Sequence, residues 1–367
     1  MNADFISHDD ARWRQFLKNT KHDCYHLPEY AEIAAADEDA LPTAFYAEDG
    51  QAACLIPLLV RPIPAALNAP ADWFDCASPY GYSGIVTSPS EERWEPFLDA
   101  FRSAARARGI VSAFIRLHPL FPLHREALEP AGRLVRHGRT VFIDLSTPKE
   151  SVWLQVSSNH RRNIRRLVRS GFQCSLDEWS RLPEFVDMYH ATMRRVGAPQ
   201  SYFFSPRYFE SLRDKLGPRV HLACVLSPSG ELAAGSLLIV TEGIVEYHLG
   251  GSADRYLPLA PSKLAMDFIW RWSQEQAYDI LHLGGGVGAV EDSLFHFKAG
   301  FSPARGEFYT YRLVIDERKH AALQQMAHSV RRAAANGDFF PAYRCLPNGP
   351  PAMPRSESPQ SVTLSGC

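Results

Sequence analysis

The chain has 367 residues, 46% of them hydrophobic and 22% charged, with a formal net charge of −2. That is the make-up of a globular protein with a substantial core, long enough for two or three domains. It excludes a chain-wide field for nucleic acid or membrane, so any affinity for a polyanion has to come from a local patch.

From the N-terminus, MNADFISHDDARWRQF offers no basic segment ahead of an apolar run, so no signal peptide is read there. No stretch approaches the roughly 18 apolar residues of a transmembrane helix. Residues 43–48 and 52–60 predict a hairpin around Asp49-Gly50, the strongest short turn signal in the chain. Pro57 and the run RPIP at 61–64 mark a sheet edge, and SPYGYSG at 78–84 a loop. Residues 91–108 predict a helix with Trp94, Phe97, Leu98 and Phe101 on one face, closed by Gly109. A strand at 112–117 follows.

A second unit starts near Thr140, with a strand at 141–145 and a single long helix at 150–170 stopped by Gly171. Helices at 182–196 and 206–216 precede strands at 220–226 and 232–241, joined by the SPSG turn at 227–230. Then come a strand at 244–250, a helix at 261–276, a strand at 280–283, a short helix at 291–298 and a strand at 307–315. Asp316 caps an Ala-rich helix running to about residue 335, and the Pro/Ser-rich stretch 346–367 predicts a disordered tail. The two halves share a rough order of hairpin, helix and strand, the mark of a duplicated unit. Seven widely spaced cysteines without a C-x-x-C predict reduced thiols in a cytoplasmic protein and no zinc ribbon.

Four stretches carry candidate chemistry. Period-2 alternation along 244–250 puts Glu246, His248 and Gly250 on one face, with His282 in the neighbouring strand. A histidine or carboxylate there can relieve an attacking amine of its proton near neutral pH. In the turn from Leu249 to Ser262, Gly250 and Gly251 permit close backbone approach, and Pro261 suits a first helical turn. Free amides at that helix start, with Arg255 and Lys263, suit an anion; a plain turn with solvated charges reads the same way. LGGGVG at 283–288 lacks the spacing of a dinucleotide fingerprint, and too little chain follows it for a Rossmann half. Its glycines instead let a ligand or another strand pass a strand end. Between 151 and 176 there is no acidic residue, while Arg161, Arg162, Arg165, Arg166 and Arg169 fall there. Trp153, Val156, Ile164, Leu167 and Val168 form the apolar stripe opposite those arginines, which suit phosphate or RNA unless they are simply solvated. His22, Cys24 and His26 alternate but lack further ligands for a metal.

Two motifs resemble the GNAT acyltransferase superfamily, in particular its two-domain branch of Fem-like aminoacyltransferases and relatives from cell-wall and exopolysaccharide gene clusters. One is the donor turn, here RYLPLA from Arg255 to Ala260 followed by the helix from Pro261; Pro258 stands where the family pattern has glycine. The other is the closing helix FHFKAGF at 295–301, in which His296 takes the place of the family's tyrosine acid. The helix RRNIRRLVRSGF at 161–172 is similar to the one after the domain junction in Fem-like proteins. The likeness covers about 140–315, and the first unit more loosely.

The resemblance implies an α/β fold of two tandem GNAT-like domains, 1–140 and 141–335, each a mixed, mainly antiparallel sheet flanked by helices. It implies an N-acyltransferase that moves an acyl group from acyl-CoA or aminoacyl-tRNA to an amine of a sugar, peptide or cell-envelope precursor by direct attack. No metal and no DNA are expected. His248, Glu246 and His296 are the catalytic candidates. Leu249, Gly250, Arg255, Ala260, Pro261, Ser262, Lys263 and Lys298 are the donor-binding candidates, and Tyr80, Tyr82, Arg161 and Arg165 the acceptor-binding ones. The alternative is a non-catalytic module of the same fold that binds tRNA or an envelope-assembly partner.

Overall fold

The computed structural model describes residues 1–36, 38–50, 52–88, 94–330 and 339–346. The expected tail from 347 onward, the last turns of the Ala-rich helix and the start of the helix expected from 91 lie outside the described residues. The strands are β1 (Asn2–Ser7), β2 (Leu41–Asp49), β3 (Ala52–Pro62), β4 (Phe74–Ala77), β5 (Val86–Thr87), β6 (Ile110–Arg116), β7 (Arg133–Asp144), β8 (Gln173–Leu176), β9 (Val220–Leu226), β10 (Leu232–Thr241), β11 (Ile244–Ser252), β12 (Ile280–Gly284) and β13 (Arg305–Val314). The helices are α1 (Ala11–Leu17), α2 (Pro28–Ala36), α3 (Trp94–Ala107), α4 (Arg125–Leu128), α5 (Lys149–Gln155), α6 (Ser158–Arg169), α7 (Leu182–Arg195), α8 (Pro206–Leu216), α9 (Ser262–Glu275), α10 (Ser293–Ala299) and α11 (Glu317–Val330).

Every strand among the described residues joins one sheet, ordered β1-β2-β3-β4-β6-β13-β7-β12-β11-β10-β9-β8, with β5 beside β3. Its two halves repeat one plan. β1 to β4 and β8 to β11 are antiparallel runs, and each ends on a parallel neighbour, β6 or β12. The closing strands are exchanged. β7 leaves the first half to pair with β12, β13 leaves the second to pair with β6, and β7 and β13 pair with each other. The boundary expected at 140 therefore falls inside β7, whose first residues, RLVRHGR, are too polar to read as a strand.

Local chemistry explains most elements. Asp49 pairs with Ala52, and Gly50 takes the left-handed φ of 66° that a tight hairpin needs. The apolar face expected of α3 is buried throughout. The long helix expected over 150–170 is instead two, α5 and α6. Val156 is extended, and the Ser157 side chain accepts the His160 N–H to start α6 afresh. That break re-aims the stripe: Ile164 and Leu167 are buried, about 2 kcal/mol each, but Val168 is 58% exposed.

One core layer packs α1 and α2 of the first half with α7 and α8 of the second, Trp13, Tyr30, Phe185 and Phe209 among them. α5, α6, α9 and α10 cover the other face of the second half, where Leu264, Ile269 and Trp270 are buried. The first layer is what brings N-terminal residues onto the middle strands of the second half.

Candidate active site

β11 and β12 run parallel only from Ile244 to Glu246, opposite Ile280 to His282. Both strands then bulge. On β11, Leu249 pairs with Leu237 and Tyr247 with Leu238, which leaves His248 as the extra residue. On β12, Leu283 is skipped between His282 and Gly284 in the ladder with β7. Bulges bend and twist strands, and here they open a gap between β11 and β12 directly beyond Glu246 and His282.

The bulge also changes the alternation. Glu246, His248 and Leu249 face the layer shared by the two halves, but Gly250 does not. A Cβ on Gly250 would sit 2.1 Å from the Tyr247 hydroxyl, on the opposite face. The expected common face for Glu246, His248 and Gly250 therefore fails at Gly250, because one extra residue reverses every later side chain.

Across this gap the first half supplies a buried counterpart. His282 Nδ1 lies 2.7 Å from Glu246 Oε1, and the Tyr25 hydroxyl donates to Glu246 Oε2 at 3.3 Å. Glu246 in turn hydrogen-bonds Asp23, whose Oδ2 is 2.9 Å from His118 Nε2. Asp23, His118, Glu246 and His282 are all buried. The proton positions follow from the partners. His118 Nδ1 accepts the Leu120 N–H at 3.2 Å, so Nε2 carries hydrogen and donates to Asp23.

Burial holds the Glu246 carboxyl well above its usual range, and the neighbouring Asp23 charge adds to that. Burial pushes Asp23 the same way, but hydrogen bonds from His118 and Glu246 outweigh it and bring Asp23 down to about 2. The pair thus shares one proton: Glu246 keeps it and donates to the Asp23 carboxylate. With that hydrogen committed, His282 donates from Nδ1, and its buried Nε2 is left as an acceptor without a partner. Burial lowers His282 to about 3, so it is neutral. Asp23, His118 and Glu246 put ligand atoms within 4.8 Å of one another, close enough for a metal ion. A hydrogen on His118 Nε2 makes that nitrogen a donor rather than a ligand, so this set fits a proton-sharing chain better than a metal.

His248 belongs to a second chain. Its Nε2 is 2.8 Å from the Tyr208 hydroxyl, Tyr208 is 3.4 Å from the Tyr30 hydroxyl, and Tyr30 donates to the Tyr80 carbonyl at 3.0 Å. Tyr30 has spent its hydrogen on Tyr80, so toward Tyr208 it can only accept; the His248 tautomer that completes this chain carries its hydrogen on Nε2 and donates to Tyr208. The buried Nδ1 then holds a free lone pair with no partner. Burial brings His248 down to about 3, so it too is neutral.

The remaining candidates divide. Tyr80 and Tyr82 reach the gap, with the Tyr80 ring 6.0 Å from His248 and the Tyr82 ring 5.3 Å from His282. Lys298 on α10 is buried there too and donates to the Gly285 carbonyl at 2.6 Å; burial lowers it to about 8. The Gly285 N–H donates to the Tyr82 hydroxyl. The glycine run thus makes room for the protein's own Lys298 and Tyr82. His296, two residues before Lys298, is exposed on the other side of α10 and outside this cluster.

Ala260, with a left-handed φ of 54°, and Pro261 lead into α9, whose first turn has no side-chain cap and no acidic residue. Ser262 opens the helix, and Lys263 is buried beside it, its pKa lowered by burial and then by Arg162. Arg255 points away, paired with Glu231 at 2.8 Å on the surface. Arg161 and Arg165 stay on α6, the first 3.5 Å from the Trp153 carbonyl, the second over the Trp153 ring. Sequence reasoning missed Asp23 and His118. Their partners are remote in the chain, and the one local hint, Asp23 inside the HDCYH cluster at 22–26, was weighed for its flanking His and Cys alone.

Residues 155–298 match the family model of the acetyltransferase (GNAT) domain. The fold is shared with FemX over 88% of this chain and 99% of that one, at a TM-score of 0.66 and 13% identity. L-PGS from Bacillus licheniformis matches 89% of this chain and 99% of its own at a TM-score of 0.54 and 15% identity. The C-terminal DUF2156 domain of an Agrobacterium fabrum protein matches 87% and 95% at a TM-score of 0.52 and 18% identity. No curated protein sequence is matched.

Proposed function

We propose that this GNAT-superfamily acyltransferase, built as two Fem-like tandem halves, transfers an acyl group to an amine held between those halves. The supporting observation is the gap where β11 and β12 part, with the free Nδ1 of His248 beside it. The acyl donor lies along the open side of β11. Its phosphate end meets the uncapped start of α9 at Ala260 to Lys263, with Arg162 near; amides and positive charge at a helix start suit an anion. The acceptor enters from the side of Tyr80 and Tyr82. It is an amine of a sugar, a peptide or a cell-envelope precursor, and the donor is an acyl-CoA or an aminoacyl-tRNA.

The amine nitrogen, entering neutral, forms a bond to the acyl carbon while His248 Nδ1 takes its proton, the negative charge growing on the tetrahedral oxygen offsetting the charge that burial disfavours on the ring. Backbone amides beside the bulge, near Leu249, stabilise the tetrahedral oxyanion. The bond from the acyl carbon to sulfur or oxygen then breaks, and Lys298, whose pKa near 8 makes it a competent acid, protonates the leaving atom. Glu246 already holds a proton in the resting state, so it acts as an acid or an anchor rather than as the first base. His296 has no part in this scheme because it lies outside the gap.

Thermal melts against acetyl-CoA, longer acyl-CoAs and charged tRNA test the donor, since a ligand of the native state raises the melting temperature by mass action. Mass spectrometry then reads acyl transfer onto a panel of amino sugars and peptides. A protein that no donor stabilises, and that acylates no amine, is not the transferase described.

A further inference from the structure

We propose that the face made by α5 and α6 docks on an anionic lipid surface. Arg162, Arg165, Arg166 and Arg169 are exposed along α6. Among the described residues none of them has an acidic partner. Arginines elsewhere commonly do, as in Arg139–Glu291, Arg181–Glu178 and Arg195–Asp254. The sequence contributes to this imbalance, with no acidic residue between 151 and 176. A chain of net charge −2 therefore carries a strongly positive local patch.

Two exposed aliphatic side chains lie on the same two helices. Leu154 is 70% exposed and Val168 58% exposed. Val168 lies among the arginines, immediately before Arg169 and three residues after Arg165 on α6; Leu154 lies on α5, next in sequence to Trp153, whose ring lies under the Arg165 guanidinium at 5.6 Å. Neither is needed for packing, because α6 is held by Ile164 and Leu167 and α5 by Val152. Exposed aliphatic groups among unpaired arginines suit a bilayer surface. There the guanidinium groups meet lipid phosphates while Leu and Val enter the acyl boundary. Single-stranded RNA favours exposed aromatic rings for bases to stack on; the aromatic ring here, Trp153, is half-buried and lies beneath the guanidinium groups of Arg165 and Arg271, and the exposed apolar groups are aliphatic.

The test is co-sedimentation of the full chain with phosphatidylglycerol–phosphatidylcholine vesicles, against phosphatidylcholine vesicles and against tRNA. The wild type is expected to bind the anionic vesicles and to be released by salt. R166E/R169E is expected to lose about 25-fold or more in partitioning, since each basic residue near an anionic surface is worth roughly fivefold. L154S/V168S, which keeps every charge, is expected to lose about tenfold through its missing apolar contact. All four positions are exposed, and unchanged melting temperatures establish that both variants fold. Equal binding to the two kinds of vesicle overturns the proposal. So does undiminished vesicle binding by L154S/V168S. Binding to tRNA but not to vesicles assigns the face to RNA and overturns it as well.

Discussion

Glu246 and His282 meet on the last rung that β11 and β12 share, with His282 Nδ1 2.7 Å from Glu246 Oε1. One residue later the strands part. The pair therefore forms the floor of the gap, and the opposite side of Glu246 is held by Asp23 and His118 from the first half. Neither half makes this floor alone, and its proton count sets the chemistry above it.

His248 is the group expected to accept the amine proton. His248→Ala should lower kcat/KM by about 10²- to 10⁴-fold, the usual worth of a positioned base, with little change in donor affinity. His296→Ala, on the exposed side of α10, should remain near wild type. Steady-state kinetics on both variants decides the point, and an unimpaired His248→Ala removes the base from the scheme.

Asp23 uses both carboxylate oxygens. Oδ1 accepts the Cys24 N–H at 2.6 Å and Oδ2 faces His118 Nε2 at 2.9 Å. An asparagine offers one acceptor in place of two and cannot carry the charge to which Glu246 donates. Asp23→Asn should cost about 3 kcal/mol of stability, the scale seen when one partner of a buried ionic group is removed. Urea denaturation measures it; a loss below about 1 kcal/mol, the worth of one ordinary hydrogen bond, would mean that the chain is not shared as described.

Acid should destabilise the protein early. Burial lowers His26, His248 and His282 to about 3 from the ordinary 6.5 of a histidine. As pH falls from 6.5 toward 3, the unfolded chain binds protons at these sites that the folded chain refuses. Their stabilisation is complete above 6.5 and is lost on the way down. Glu246 works in the opposite sense above its unfolded value of 4.5, since only the folded form holds that proton. Each histidine contributes a slope of about 1.4 kcal/mol per pH unit. Melting curves between pH 4.5 and 6.5 should show the steep fall, and His282→Asn should flatten it; a flat wild-type profile contradicts neutral burial of these rings.

Lys298 tests the other end of the scale. Its pKa falls from 10.5 to about 8 because it is buried, so the folded form loses its proton first as pH rises. Between those values the unfolded chain binds more protons, and stability from this group increases with pH. The total profile also contains buried cysteines and tyrosines of opposite sign, so the informative quantity is the wild type minus Lys298→Met. That difference should rise by about 3 kcal/mol from pH 7.5 to 10.5, at 1.36 kcal/mol per pKa unit. No rise would mean that the ammonium is solvated.

Much of the second half was legible in the sequence. The strands expected at 220–226 and 232–241 coincide with β9 and β10, because apolar runs bounded by turn residues leave little freedom. Glu246, His248, Tyr80 and Tyr82 were all singled out, and the structure gathers them around one gap. The features that escaped are those the chain does not encode locally. A bulge at His248 has no signature in a period-2 reading, so Gly250 was placed on the wrong face. Ser157 inside an otherwise helical pattern looked like a tolerated residue rather than a new cap. Asp23 acts through His118, 95 residues away, and through Glu246 in the second half, and no spacing rule reaches that far.

The exchange of β7 and β13 has one more effect. Each lobe is latched shut by a strand that the other lobe's chain segment provides, and the two latches are bonded to each other. Swinging the lobes apart would tear the middle of a continuous ladder, so substrates have to enter by shifts of loops and side chains rather than by a jaw-like motion. The same interlock ties the lobes into one cooperative unit, and a cut between β7 and α5 should yield two fragments that are stable only as a reassembled pair.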